Sequence, residues 1–354
     1  MSRFISPSTA ALKPYTPGEQ PRVTQYIKLN TNESPYPPSP RVREAIDALA
    51  YEDLRLYPDP DVTGLRDAIA AARGISQERV FVGGGSDEIL GYAFMAFFER
   101  GDTVVFPDVT YGFYPVHAQV CGLEVRTLPL RGDFSLEPSD YYGAPGHIVL
   151  ANPNAPTGIA LPPARLEDIL RANPDRLIIV DEAYTDFSPQ NTARPLLDLY
   201  DNLLITRTFS KAYGLAGMRI GCALGEPGLI SALNCVKYAF NPYNLDRVSI
   251  AVGTAAVSDT DYLQRTVDMI LATRDWFVPE LEAMGFSVLP SAANFVFVRH
   301  ATLKGAYIYD KLRENGILVR IFAYPERISD HLRVSIGTDG DMRRVTDILK
   351  SIVK

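Results

Sequence analysis

Three runs constrain this chain more than any other feature. Ile148-Val149-Leu150, Leu177-Ile178-Ile179-Val180 and Leu203-Leu204-Ile205 contain no polar residue. Successive side chains of a strand point to opposite faces, so a strand that is apolar throughout must be covered on both. Segments of helical spacing separate such runs. The chain therefore predicts an α/β fold with a mostly parallel sheet wrapped by helices. Ligands of such sheets bind beyond the carboxyl ends of the strands. Polar clusters follow the strands at that end: Pro107-Asp108-Val109-Thr110-Tyr111, Ala151-Asn152-Pro153-Asn154, Asp181-Glu182-Ala183-Tyr184 and Thr206-Arg207-Thr208-Phe209-Ser210-Lys211. One shared site is the expectation.

The rest of the chain extends that frame. Residues 1 to 40 carry eight prolines, Pro21 among them, and predict an extended arm. Helices are predicted over 40–50, 62–73, 86–98 and 112–121, with strands over 79–82, 103–106 and 123–128. Later helices are predicted over 226–240 and 262–284. After Gly285 the pattern changes to strands 286–289, 294–299, 317–321 and 332–336 with helices 303–315 and 339–353, a smaller α+β unit. The expected divisions are an arm (1–40), a large domain (41–255) and a small domain (256–354).

Composition closes off several classes of function. A net charge of -7 and the lack of a basic run argue against a nucleic-acid binder. The longest apolar stretch, Leu90 to Phe98, is too short to span a bilayer. Three cysteines without CxxC spacing suit a reduced, cytoplasmic protein. The four histidines form no zinc signature, so no metal is expected.

Two stretches carry chemistry. Gly83-Gly84-Gly85-Ser86-Asp87 joins a strand to a helix start, where free backbone N–H groups can receive an anion. It is neither a Walker loop nor GxGxxG. The stretch from Thr206 to Gly221 holds Lys211, Arg219, hydroxyls and three glycines. A lysine presented from a buried strand can be dehydrated, and its amine can then form a Schiff base with a carbonyl.

In order, Asn-Pro-x-x-Pro-Thr-Gly (152–158), Asp181-x-x-Tyr184, Ser210-Lys211 and Arg219 resemble the fold type I aminotransferases that use pyridoxal phosphate. The resemblance spans essentially the whole chain. It implies a large domain with a seven-stranded sheet. It makes Lys211 the covalent anchor and proton carrier, and sets Asp181 against the pyridine nitrogen. Asn154 and Tyr184 donate to the phenolate oxygen, and Tyr111 stacks on the ring. The phosphate lies among Gly85, Ser86, Ser210, Arg219 and Asp87, although Asp87 reads more naturally as a helix cap or dipole partner.

Three further stretches resemble the histidinol-phosphate aminotransferases: Leu12 to Gly18, Lys28 to Pro35, and Leu56-Tyr57-Pro58-Asp59. This resemblance implies a homodimer with a shared active site, in which Tyr57 reaches the neighbour's cofactor phosphate. Tyr15, Asn32, Asn294, Arg320 and Arg333 become substrate-binding residues. The implied reaction is ping-pong transfer between histidinol phosphate and 2-oxoglutarate, with glutamate as the other product. Two arginines suit a phosphate dianion better than a carboxylate. Competing expectations are transfer from aromatic amino acids, decarboxylation of threonine phosphate, and a non-catalytic cofactor-binding regulator.

Overall fold

The computed structural model describes residues 2–20 and 26–353. Pro21 of the arm lies outside them. The strands, in chain order, are β1 (Ile27–Lys28), β2 (Val80–Gly83), β3 (Thr103–Pro107), β4 (Glu124–Leu128), β5 (His147–Ala151), β6 (Ile178–Asp181) and β7 (Leu203–Thr208). Then come β8 (Gly221–Leu224), β9 (Phe286–Val288), β10 (Phe295–His300), β11 (Ile317–Leu318), β12 (Arg320–Ile321) and β13 (Leu332–Ser335).

Seven strands form one sheet in the order β2-β8-β7-β6-β5-β3-β4. Only β8 runs against its neighbours, pairing antiparallel with both β2 and β7. Alternation within the strands explains the layers. Val105, Ile148, Leu150, Ile178, Val180, Leu203 and Ile205 enter one core, with Leu65, Ile69, Leu166 and Val252 from the helices on that face. Val104, Phe106, Val149, Ile179 and Leu204 enter a second core, with Ile89, Phe94, Ala118 and Leu233 from the helices opposite. Full burial of each such aliphatic side chain is worth about 1.5–3 kcal/mol. The apolar runs are thus strands because both faces have helices to meet.

A four-stranded sheet, β12-β13-β10-β9, packs with helices Thr260–Ala283, Gly305–Glu314 and Asp339–Ile352 around a third core. The arm differs from a plain extended segment. It contains a short helix, Pro7–Ala11, and β1 pairs in parallel with β11. The predicted strand 317–321 is consequently two strands. Its first half joins the arm, and its second half joins the four-stranded sheet. Helices Pro163–Ala172 and Arg247–Val257 lack a sequence expectation above; both contribute to the first core. Among the described residues, no helix is long and apolar enough to cross a membrane.

Candidate active site

A cavity of about 520 Å³ opens beyond the carboxyl ends of β6 and β7. Asp181, the last residue of β6, and Lys211, just past β7, both line it. β6 and β7 pair in register, with Asp181 opposite Thr206. The Thr206 hydroxyl donates to Asp181 Oδ1 at 3.4 Å, and the Tyr114 hydroxyl to Oδ2 at 3.1 Å. Burial pushes the Asp181 carboxyl up to about 6, against the pull of the Tyr114 hydrogen bond.

Lys211 Nζ donates to the carbonyl of Thr31 at 2.9 Å. Burial lowers its amine to about 8, and Arg333 acts in the same direction. Glu33 and Asp87 oppose that shift, while Arg219 adds to it. The Lys211 proton therefore leaves more readily than that of an ordinary lysine, whose midpoint is about 10.4. The floor of the cavity therefore pairs a carboxylate with an available amine.

The glycine turn supplies the anion end. Gly85, at φ 92°, is the N-cap of helix Ser86–Phe97, and no side chain caps that helix. The first N–H groups of the helix are thus open to an acceptor. The guanidinium of Arg219 lies directly over Gly85, where a Cβ would stand 2.7 Å from Nη2. Arg219 itself adopts φ 53° and donates to Ser210 Oγ at 3.4 Å. Helix start, guanidinium and the hydroxyls of Ser86 and Ser210 converge on one corner, a donor set that fits a phosphate. With Lys211 and Asp181 at the other end, the cavity fits a phosphorylated pyridine aldehyde.

Asp87 is not the cap that its position suggests. Its carboxylate accepts from the Tyr111 hydroxyl at 2.9 Å and faces Arg219 at 3.6 Å. Tyr111 and Tyr15 both line the cavity, with ring centroids 6.1 Å apart. Tyr184 lines it too, and its hydroxyl oxygen accepts from Asn32 Nδ2 at 2.9 Å.

The remaining expected residues divide. Arg333 lines the cavity and donates to the Asn30 carbonyl at 3.0 Å. Arg320 lines an adjoining cavity of about 340 Å³ that shares Tyr15, Tyr111 and Arg333 with the first. Asn154 does not line this cavity but a neighbouring one of about 220 Å³, and its amide nitrogen is bound to Val109 O and Thr157 Oγ1. Donation into the cavity requires it to release one of these. Asn32 and Asn294 do not line the cavity but stand behind its wall, where Asn294 Nδ2 holds the Asn32 carbonyl at 3.1 Å. They are buried because arm and small sheet meet there. Tyr57 is 76% exposed and stacks on Tyr243 at 4.5 Å, away from this cavity. Sequence reasoning missed Thr31, Tyr114 and Thr206. Thr206 was recoverable from the strand register, whereas no sequence signal joins Tyr114 to Asp181. Among the described residues, no group of His, Cys, Asp or Glu is arranged to hold a metal ion.

Comparison with known proteins accords with this geometry. Residues 24–349 match the model of aminotransferase class I and II. A histidinol-phosphate aminotransferase 2 of Gluconobacter oxydans is 51% identical, covering 100% of this chain and 99% of its own. A second, from Dechloromonas aromatica, is 49% identical over 99% of both chains. The crystal structure of histidinol-phosphate aminotransferase from Sinorhizobium meliloti, in complex with pyridoxal-5'-phosphate, superposes with a TM-score of 0.87. It is 28% identical and covers 100% of this chain and 98% of its own. The chain belongs to the histidinol-phosphate aminotransferases, within the class I and II aminotransferase family.

Proposed function

We propose that this cavity transfers an amino group between histidinol phosphate and 2-oxoglutarate, with pyridoxal phosphate as cofactor, in the ping-pong order of a histidine-biosynthesis enzyme. One observation carries the substrate choice. Arg320 and Arg333 are direct cross-strand partners on β12 and β13. Both guanidiniums approach the ring of Phe322, at 5.9 and 5.8 Å from its centroid. Like charges directly opposite destabilise a sheet, so the pair is justified by an anion carrying more than one charge. A phosphate dianion meets that description, and a carboxylate can use Arg333 alone.

When bound, the cofactor supplies a carbonyl for amine exchange and a ring that accepts electrons. The chain's residues do the rest. Lys211 anchors the cofactor and, as a free amine, removes the proton from the substrate carbon that bears nitrogen. Asp181 holds a proton on the ring nitrogen. Tyr111 covers the ring face. Tyr184 and Asn154 donate to the ring oxygen, and Ser86, Ser210 and Arg219 bind the phosphate. Gly85 leaves room for that grip. Asp87 tethers Tyr111 and Arg219 rather than contacting the phosphate itself.

The assembly belongs to the same reading. The outward, stacked Tyr57 ring supports a homodimer in which Tyr57 enters the neighbour's site. We read 41–255 as the cofactor domain and 256–354 as the small domain, supported by a first core whose buried residues all lie between Val42 and Val257; the other core takes Ala155, Tyr184, Phe187 and Ala212 from the large domain as well. Residues 1–40 form the arm between small domain and partner, and the protein acts in the cytoplasm. A substrate panel tests the proposal: amino transfer from histidinol phosphate is expected to exceed that from phenylalanine by at least tenfold in kcat/KM. Transfer from phenylalanine alone, or carbon dioxide release from threonine phosphate, overturns it.

A further inference from the structure

Asn32 is built into the site without touching the cavity. It is 1% exposed and adopts φ 57°, a conformation that asparagine and aspartate tolerate better than other non-glycine residues. Its backbone N–H donates to Ser335 Oγ at 3.0 Å. The Ser335 hydroxyl donates to Asn32 Oδ1 at 2.8 Å. Asn32 Nδ2 then donates to the Tyr184 oxygen at 2.9 Å. All three side chains are buried, and only that of Tyr184 reaches the cavity.

The direction of this chain follows from counting protons. A backbone N–H can only donate, so Ser335 Oγ accepts there and has one proton to place. Given to Asn32 Oδ1, that proton forces Nδ2 toward Tyr184. The Tyr184 oxygen then accepts, and its own proton is free for the cavity. The flipped amide spends the Tyr184 proton on Oδ1. It leaves the Ser335 proton without an acceptor among the described residues, at a site 1% exposed. A buried unmatched donor is costly, so the first arrangement is favoured.

We infer that Ser335 and Asn32 are positioning residues that turn Tyr184 into a one-way hydrogen-bond donor to the cofactor's ring oxygen. The inference rests on the proposed placement of Tyr184 against that oxygen. The relay also joins the two ends of the site, because Ser335 lies two residues beyond Arg333 on β13. Electrostatics agree with it. Burial pushes the Tyr184 phenol up, while Arg333 and the Asn32 amide pull it down and Asp181 and Asp87 push it up. Lys211 Nζ stands 5.9 Å from the ring centroid.

The test reads the pH midpoint of the visible absorbance of cofactor-loaded enzyme, which reports the basicity of the Lys211 nitrogen. A donor at the ring oxygen stabilises negative charge there, so its loss makes the nearby nitrogen more basic. Tyr184→Phe is expected to raise the midpoint by about one pH unit. Asn32→Asp keeps the shape but can only accept from Tyr184, and is expected to raise it by a similar amount. Added to Tyr184→Phe, Asn32→Asp retains only the effect of its charge, so its shift is expected to be smaller there than in the wild-type background, whereas a charge effect alone would be equal in both. Ser335→Ala carries no charge change and is expected to give a smaller rise, with Ser335→Thr restoring the wild-type value. If Tyr184→Phe moves the midpoint but Ser335→Ala and Asn32→Asp do not, the relay is wrong. If Tyr184→Phe itself moves nothing, the placement of Tyr184 fails first. Should Asn32→Asp fail to fold, the Ser335 pair decides alone.

Discussion

The floor and the wall of the cavity are built by opposite means. Asp181 and Lys211 are supplied by adjacent parallel strands of the seven-stranded sheet, and burial moves both from their ordinary pKa values. Arg333 and Arg320 project from two short strands, and their guanidiniums are held by carbonyls of the arm, Asn30 O and Thr16 O. The floor is fixed by a closed core, the wall by hydrogen bonds to an arm that pairs with only two residues of β11. Reaction chemistry needs fixed geometry, whereas alternating substrates need a grip that can adjust.

This contrast predicts that floor substitutions reduce kcat and wall substitutions raise KM. The largest effect is expected for Lys211→Ala, with amino transfer lower by about 10⁴-fold or more and no borohydride-reducible adduct in the mass spectrum. Asp181→Asn is expected to lower kcat by about 10²–10⁴-fold with KM little changed. On the wall, Arg333→Met is expected to raise KM for the phosphate substrate by about 10–100-fold, the worth of a charge-assisted hydrogen bond. Arg320→Met is expected to raise it by less than about tenfold, and to affect glutamate still less. Equal losses for phosphate and carboxylate substrates would dissolve the distinction between the arginines. The smallest effect concerns pH. Cofactor capture by the apoprotein is expected to accelerate as pH rises through about 8, where Lys211 loses its proton. Removing the Arg333 cation raises that midpoint by less than about one unit, measured by absorbance in stopped flow.

The same contrast explains what the sequence reveals. The floor is legible because apolar runs and strand-end polar residues are local patterns, and Asp181, Tyr184 and Lys211 fall where those patterns place a site. The interior strand β8 is harder to read. It lies in order between β2 and β7, and its pairing with β2 joins residues over 100 apart in sequence, as with Val82 and Cys222. The wall is least legible. Asn32 and Asn294 look like ligand contacts because they are polar and close to matching motifs, yet tertiary packing seats the Asn32 side chain against Tyr184 and Ser335 and the Asn294 amide against the Asn32 carbonyl. Asp87 reads as a cap, but Gly85 holds the cap position, and the Asp87 carboxylate in the first turn accepts from Tyr111 instead. The division at Val319 follows from β1 capturing Ile317 and Leu318, a pairing with no local signature.

That pairing has a consequence in time. Ile27 meets Ile317, so the arm leaves the ribosome about 290 residues before the strand that seats it. At about 5–20 residues per second, the delay is roughly 15–60 s. Thr31, the carbonyl partner of Lys211, travels with that arm. A nascent chain can therefore complete its seven-stranded sheet while the lysine still lacks its partner. The arm thus waits for a strand made long after it, which defers a finished site until β11 has emerged.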